Sequence, residues 1–407
     1  MPETHYRVEG ILPLRGEVTV SGSKNAALPA MCAALLTEEE VTLRNVPDIA
    51  DVHSLLQIFT FLNVDHSFEP GKGGSPGVLR LCARNLTNKP IPHELVCKFR
   101  AAILLLGPLL ARFGEAKMAY PGGCVIGKRS IDAHLDAFTQ LGFENLSAEE
   151  TVHLRGSVKS RDIVLPEFSV TATENLLLAV LGSPSAEVTV HLAAAEPHVQ
   201  DLCRFLLAMG ATMEGVGTHD LRLSGARLHG TVRTVTTDYL EAGFFALAGV
   251  LTGGDVRIRG AEASHLHSFL NALVRLGVDW EWESANLLHV RSGIPLKACT
   301  IRTNIFPGFP TDLQAAMGVA MTQAHGVSRL FERLFEGRFG YLFELEKMGA
   351  HVEILNSHEA LIIGPTPLRG RTVTSNDIRA GAGMVLAALC ARGETLITDV
   401  QYIERGY

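Results

Sequence analysis

Two kinds of apolar segment alternate along this chain. The first kind is apolar almost throughout: KNAALPAMCAALL from Lys24, RAAILLLGPLL from Arg100, TENLLLAVLG from Thr173, DYLEAGFFALAGVL from Asp238, DLQAAMGVAMTQA from Asp312 and DIRAGAGMVLAALC from Asp377. Segments rich in Ala, Leu, Gly and Met, with almost no charge after the first turn, predict helices that are apolar on every side and therefore buried. Pro29 and Pro108 interrupt two of them and blur their extents. The second kind is amphipathic, and it ends at a small or turn-forming residue that runs straight into a strand. Its copies are FLNVDHSF from Phe61, QLGFENL from Gln140, AMGATME from Ala208, RLGVDWE from Arg275 and KMGAHVE from Lys347, spaced roughly 70 to 80 residues apart. Glycine follows the last helical turn in four copies and Asn63 in the fifth, as a left-handed C-terminal cap requires.

One buried helix, one amphipathic helix and short strands such as Glu17 to Val20, Val188 to Leu192 and Asp255 to Arg259 make a unit that the chain writes six times. Six units imply two domains of three: residues 22–229 form one, and residues 1–21 with 230–407 form the other. The sixth unit stops early. Thr395 to Asp399 reads as its strand and Val400 to Tyr407 as the loop beyond, which leaves it roughly 12 to 20 residues short of the repeat rule. Either the chain is cut short there, or another segment covers the exposed core.

Composition narrows the class. Of 407 residues, 47% are hydrophobic, 19% charged and only 6% aromatic, which describes a soluble protein rich in small and aliphatic side chains and large enough for two cores. A net charge of −7 argues against a nucleic-acid partner and confines any anion site to a local patch. The seven cysteines are odd in number and form no C-x-x-C pair, so neither a disulfide framework nor structural zinc is expected. The N-terminus has no apolar signal region, and no apolar run is long enough for a membrane span. A cytoplasmic monomer with small-molecule partners is the expectation.

Chemistry gathers in two places. In the loop PGGCVIGKR, from Pro121 to Arg129, glycines supply backbone freedom while Lys128 and Arg129 crowd the thiol of Cys124; nearby cations lower a thiol's pKa and raise its reactive fraction. Polar groups also collect at the N-terminal ends of the apolar helices: Lys24 and Asn25, Arg100, Thr173 and Glu174, Asp238 and Glu241, Asp312, and Asp377 with Arg379. If those helices run side by side, their positive dipole ends favour phosphate or carboxylate ligands. An anionic substrate in an interdomain cleft follows.

The motifs SGSKNAALPA at Ser21, PGGCVIGKR at Pro121, PGFPTDLQA at Pro307, FEGRF at Phe335 and DIRAGA at Asp377, in that order, resemble the enolpyruvyl transferases. The resemblance implies an inside-out α/β barrel of six repeated units, with buried helices surrounded by short sheets. It also implies transfer of the enolpyruvyl group of phosphoenolpyruvate to the 3'-hydroxyl of UDP-N-acetylglucosamine, with release of phosphate, as the first committed step toward peptidoglycan. By the same resemblance, Cys124 is the general acid and Asp312 accepts the hydroxyl proton. Lys24, Arg129 and Arg405 hold phosphoenolpyruvate. Asn25, Arg100, Ser169, Val170, Thr171, Asp312 and Leu334 face the UDP-sugar. Glu336, Arg338, Asp377 and Arg379 support them, and neither cofactor nor metal is called for.

The residue types suit the chemistry, because adding an alcohol to an enol ether carbon needs a proton donor, a base, and cations for a phosphate and a carboxylate. Without the resemblance, Asp312 reads as an ordinary helix N-cap, and Glu336, Arg338 and Arg379 as a salt-bridge network between repeats. Three other functions stay open: a transferase acting on another UDP-sugar or nucleoside, the related enzyme acting on shikimate 3-phosphate, and a catalytically impaired ligand-binding homologue.

Overall fold

The computed structural model describes residues 4–71, 76–97, 99–122, 131–292 and 295–407. Cys124, Arg129 and the rest of residues 123–130 lie outside them. The chain divides into two compact units, one beginning at Gly22 and ending at Thr236, the other built from the residues up to Ser21 and those from Thr237 onward. The expected boundary at residue 229 falls a little short, because the strand Val232–Thr234 pairs in parallel with Val41–Val46 and so belongs to the first unit.

Among the described residues, each unit holds three small sheets and one hydrophobic core. The six apolar segments form helices, and their faces are buried nearly all round: every residue from Ala26 to Ala33 is buried in the helix Lys24–Ala33, and likewise from Ala172 to Leu181 in Val170–Leu181. Pro29 sits inside the first of these helices without ending it. The segment from Arg100 starts as a 3-10 stretch, Arg100–Leu105, and becomes α-helical at Leu106–Phe113. All five cap positions adopt the left-handed conformation, with φ of 59° at Asn63, 106° at Gly142, 101° at Gly210, 85° at Gly277 and 99° at Gly349.

A repeated crossover organises the sheets. Arg161–Val164 leads through the helix Val170–Leu181 to a parallel neighbour, Glu187–His191. Thr300–Arg302 and Thr372–Thr374 do the same with Gly326–Phe331 and Glu394–Thr398. Where the chain passes between units the pattern is exchanged: Arg15–Thr19 pairs with Asp255–Arg259, and Val232–Thr234 with Val41–Val46.

The sixth sheet shows how the short repeat is closed. Glu394–Thr398 needs an antiparallel neighbour, a place filled elsewhere by a strand that follows the amphipathic helix, as Glu359–Gly364 follows Gly340–Lys347. Here Tyr6–Glu9 takes that place, with Tyr6 opposite Ile397 and Glu9 opposite Glu394. The residues after Thr398 form a 3-10 turn, Val400–Tyr402, and further turns rather than an open loop.

Candidate active site

In the unit that holds both chain ends, the helix Ile378–Cys390 is started by Asp377, whose side chain accepts hydrogen bonds from the backbone N–H groups of Arg379 (2.7 Å) and Ala380 (3.0 Å). That cap satisfies helix-end donors and fixes the first turn that carries Arg379. One guanidinium nitrogen of Arg379 then lies 2.9 Å from Oδ2 of Asp312, while another donates to the phenol oxygen of Tyr407 at 2.8 Å. Arg338 approaches Asp312 on its other side, 2.8 Å from Oδ1, and also donates to the carbonyl of Thr311 at 3.1 Å.

Both arginine side chains are 8% exposed and that of Asp312 is 24% exposed, so the carboxylate is presented to solvent by two buried cations. Burial works against the charge on Arg379, but Asp312, Tyr407 and Asp238 around it outweigh that and hold its pKa above the usual arginine range. Burial raises the Asp238 carboxyl, although its side chain caps the next buried helix at Leu240 N–H, 2.8 Å away. Gly381 lets the helix Ile378–Cys390 approach its neighbours closely, since a Cβ there would overlap the hydroxyl of Ser375 and crowd Ile403, two residues before Arg405.

Asp312 therefore does not act as an N-cap. It lies inside the 3-10 turn Thr311–Leu313, whose cap position is Pro310, and its carboxylate meets two arginines from distant segments. A carboxylate offers about four lone-pair directions, and each oxygen of Asp312 meets an arginine, Oδ1 Arg338 and Oδ2 Arg379. Glu336 is not part of this group. Its side chain is 82% exposed, 3.7 Å from His358, because it sits on a turn while Arg338 points inward. Leu334 is at the surface of the same segment, and Arg405 follows the 3-10 turn Val400–Tyr402.

In the other unit, Lys24 opens its helix and places its ammonium 2.5 Å from Oδ2 of the buried Asp51. Asn25 is next to it, partly buried. Ser169 caps the helix Val170–Leu181 through Ala172 N–H, 3.4 Å away. Thr171 then meets Nε2 of His134 at 3.0 Å, and Nδ1 of His134 meets the Asn175 amide nitrogen at 2.9 Å. That amide nitrogen also donates to the carbonyl of Ile103, while Asn175 Oδ1 accepts from Gly107 N–H at 2.9 Å.

Burial, and then the charge of Arg100, pull His134 down to about 3. The imidazole is therefore neutral, and its Nε2–H donates to Thr171. The chain of contacts holds the Arg100 segment and the Ser169–Thr171 turn in one arrangement. His134 and Asn175 were invisible in the sequence, since nothing local marks a histidine on an amphipathic helix as a partner for a threonine. Thr173 and Glu174, expected at a helix end, lie inside the helix and are buried because it starts at Val170. Burial and the charge of Glu196 push the Glu174 carboxyl well above its ordinary range.

Burial likewise raises Cys203 and Cys390, both to about 12, so these thiols are inert at neutral pH. Among the described residues, Glu281, Glu283 and His289 have metal-ligand spacing, but Arg291 pairs with Glu281, and Arg257 with Glu283 at 2.9 Å. No helix of the described residues is long and apolar enough to cross a membrane.

A family model described as EPSP synthase (3-phosphoshikimate 1-carboxyvinyltransferase) matches residues 8–407. The chain is 42% identical over 404 residues to a UDP-N-acetylglucosamine 1-carboxyvinyltransferase of Koribacter versatilis (strain Ellin345), covering 99% of this chain and 92% of that one. It is 39% identical over 409 residues to the protein so named in Rhodospirillum centenum (strain ATCC 51521 / SW), covering 98% and 94%. Among solved structures, the enolpyruvyl transferase NikO from Streptomyces tendae superposes with a TM-score of 0.88 at 24% identity, covering 100% of this chain and 95% of that one. An EPSP synthase from Acinetobacter baumannii gives 0.75 at 20% identity, covering 99% and 96%. These two likenesses establish the mixed α/β fold.

Proposed function

The chain belongs to the EPSP synthase family of carboxyvinyltransferases, and from that premise we propose that it transfers the enolpyruvyl group of phosphoenolpyruvate to the 3'-hydroxyl of UDP-N-acetylglucosamine. Phosphate is released, and the product enters peptidoglycan synthesis in the cytoplasm. The observation that carries this reading is the end-to-end likeness to transferases named for that acceptor. The residues the chemistry asks for, Cys124 and Arg129 in their loop, Lys24, Asp312 and Arg405, are all in place along the chain.

In the proposed reaction, Asp312 accepts the proton of the 3'-hydroxyl as its oxygen bonds to C2 of phosphoenolpyruvate, and Cys124 delivers a proton to the methylene carbon C3. The resulting methyl intermediate then gives a C3 proton back to the Cys124 thiolate as the C2–O bond to phosphate breaks, which regenerates the double bond on the new ether, and the proton held by Asp312 leaves with the phosphate. Lys24, Arg129 and Arg405 neutralise phosphate and carboxylate. Asn25, Arg100, Ser169, Val170, Thr171 and Leu334 face the UDP-sugar. The arrangement of Arg338 and Arg379 supports Asp312's part, because two buried cations hold its carboxylate in one orientation.

Phosphate release from phosphoenolpyruvate tests the reading, with UDP-N-acetylglucosamine, other UDP-sugars and shikimate 3-phosphate offered in turn. Turnover with the first alone is expected. Turnover only with shikimate 3-phosphate, or with none of them, overturns it. Cys124→Ser should bind both substrates and lose most turnover at neutral pH, because a serine hydroxyl is far less acidic; full activity would remove the thiol from the mechanism.

A further inference from the structure

Next to Asp312 lies a carboxylate to which the reaction as written gives no task. Glu332 is fully buried, at the end of the strand Gly326–Phe331. Its Oε2 accepts from the hydroxyl of Thr311 at 2.7 Å. Its Oε1 accepts from the hydroxyl of Thr303 at 3.0 Å and from the backbone N–H groups of Leu334 at 2.9 Å and Phe335 at 3.2 Å. All four partners donate, and an ionised carboxylate only accepts, so its charge and its partners match. Three stretches of chain meet on this one group: the end of the strand Thr300–Arg302, the turn that carries Asp312, and the backbone around Leu334.

We infer that Glu332 is a positioning residue that sets Asp312 and the Leu334 backbone in a fixed relation. This rests on the reading above, in which Asp312 takes the hydroxyl proton and Leu334 borders the UDP-sugar. The Thr311–Leu313 turn is gripped from two sides, by Glu332 on the Thr311 hydroxyl and by Arg338 on the Thr311 carbonyl. Releasing the first leaves the second to swing Asp312 about its own backbone. The other oxygen of Glu332 closes the chain over Leu334 and Phe335, so nucleotide-sugar binding and the position of the base answer to the same side chain.

The two arms can be cut separately. Thr311→Val removes only the hydroxyl that reaches Oε2, and Glu332 keeps its other three donors. Its expected effect is a fall in kcat of about tenfold, the worth of one charge-assisted hydrogen bond, with KM for UDP-N-acetylglucosamine nearly unchanged. Glu332→Gln keeps the shape, and the Thr311 hydroxyl can turn to accept from the new amide. It should lower kcat and raise KM together, for a loss of roughly 10- to 100-fold in kcat/KM. Should Glu332→Gln fail to fold, Thr311→Val carries the test alone. A purely structural role would lower the melting temperature of both variants and leave kcat and KM at 25 °C untouched, and that result overturns the inference. So does a Thr311→Val variant that alters KM but not kcat. Absence of turnover in the unmodified protein would instead overturn the function itself, and this inference with it.

Discussion

Tyr407→Phe removes one oxygen from the group around Asp312 and nothing else. The ring keeps its packing against Phe244, 5.5 Å between centroids, and its place beneath the Arg379 guanidinium, also at 5.5 Å. What goes is the acceptor that Arg379 reaches at 2.8 Å. A hydrogen bond from a charged donor is worth about 1.5–3 kcal/mol, and a buried donor left without its partner carries a desolvation cost of the same order. Stability of that unit should fall by about that much.

The effect on turnover runs through the other end of the guanidinium. At 2.9 Å and an effective dielectric constant of about 20, the Arg379–Asp312 attraction is roughly 6 kcal/mol before desolvation. If Arg379 retreats by about 1 Å toward solvent, roughly a quarter of that is lost, about 1.4 kcal/mol, which corresponds to a tenfold fall in kcat. The assay is steady-state phosphate release by Tyr407→Phe, Asp312→Asn and the double variant, with thermal denaturation of each. Because the Tyr407 hydroxyl holds Arg379, which in turn holds Asp312, the double variant should lose little more than Asp312→Asn alone, a departure from additivity of about 1 kcal/mol. Additive losses, or a kcat within twofold of normal alongside a clear drop in stability, would refute the reasoning and leave Tyr407 with packing alone.

Three further outcomes follow from other sites. Burial raises the Glu241 carboxyl to about 7, against hydrogen bonds from the Ser21 N–H and hydroxyl that favour its charged form; the folded protein thus holds a proton that the unfolded chain releases near pH 4.5. Stability from this group is greatest below pH 4.5 and is lost as pH rises through 7, by up to about 3 kcal/mol, so Glu241→Gln should flatten denaturant midpoints measured between pH 5 and 7.5, and an unchanged slope counts against the assignment. Asn175→Ala strands Gly107 N–H and His134 Nδ1 in the core and removes one of the two donors to the Ile103 carbonyl; a loss of about 2–4 kcal/mol in chemical denaturation, with a several-fold rise in KM for UDP-N-acetylglucosamine, is expected, and a normal KM would detach the network from Thr171. Gly318→Ala would drive a Cβ into the phenol oxygen of the buried Tyr341, and calorimetry should show a destabilisation of about 1–3 kcal/mol, whereas a neutral result would mean that the ring shifts freely.

The features legible in the sequence are those in which a residue answers to its own backbone or its own helix. The five caps could be read because glycine and asparagine tolerate positive φ, and the buried helices because an all-apolar surface leaves no solvent face. The start of the helix at Val170 was missed, since Ser169, Thr171 and Thr173 all offer hydroxyls and only the fold selects Ser169 as the cap. Asp312 looked like a cap for the converse reason: aspartate suits a helix start, and only the arrival of Arg338 and Arg379 from distant segments gives its carboxylate other partners. Glu336 and Arg338 stand two residues apart, and nothing local tells which turns inward. Glu332, His134, Asn175 and Tyr407 matter through partners on other segments of the chain, a kind of information that periodicity and propensity do not carry. Cys124 and Arg129 lie outside the described residues, so their roles rest on the resemblance and on chemistry.

The pairing of Tyr6–Glu9 with Glu394–Thr398 imposes an order on synthesis. Tyr6–Glu9 must wait for a partner made roughly 390 residues later, about 20–80 s at ordinary translation rates. Through that interval the unit from Gly22 to Thr236 emerges as one uninterrupted stretch and can fold on its own contacts, while Tyr6–Glu9 remains a strand with open edges, as does Arg15–Thr19 until Asp255–Arg259 is made, the kind most prone to pair with the wrong chain. Nascent-chain burden should therefore fall on this short N-terminal ribbon. A chaperone that shields it, or a slowed decoding of the codons for Glu394–Thr398, would change the yield of the native protein without altering any residue of the finished fold.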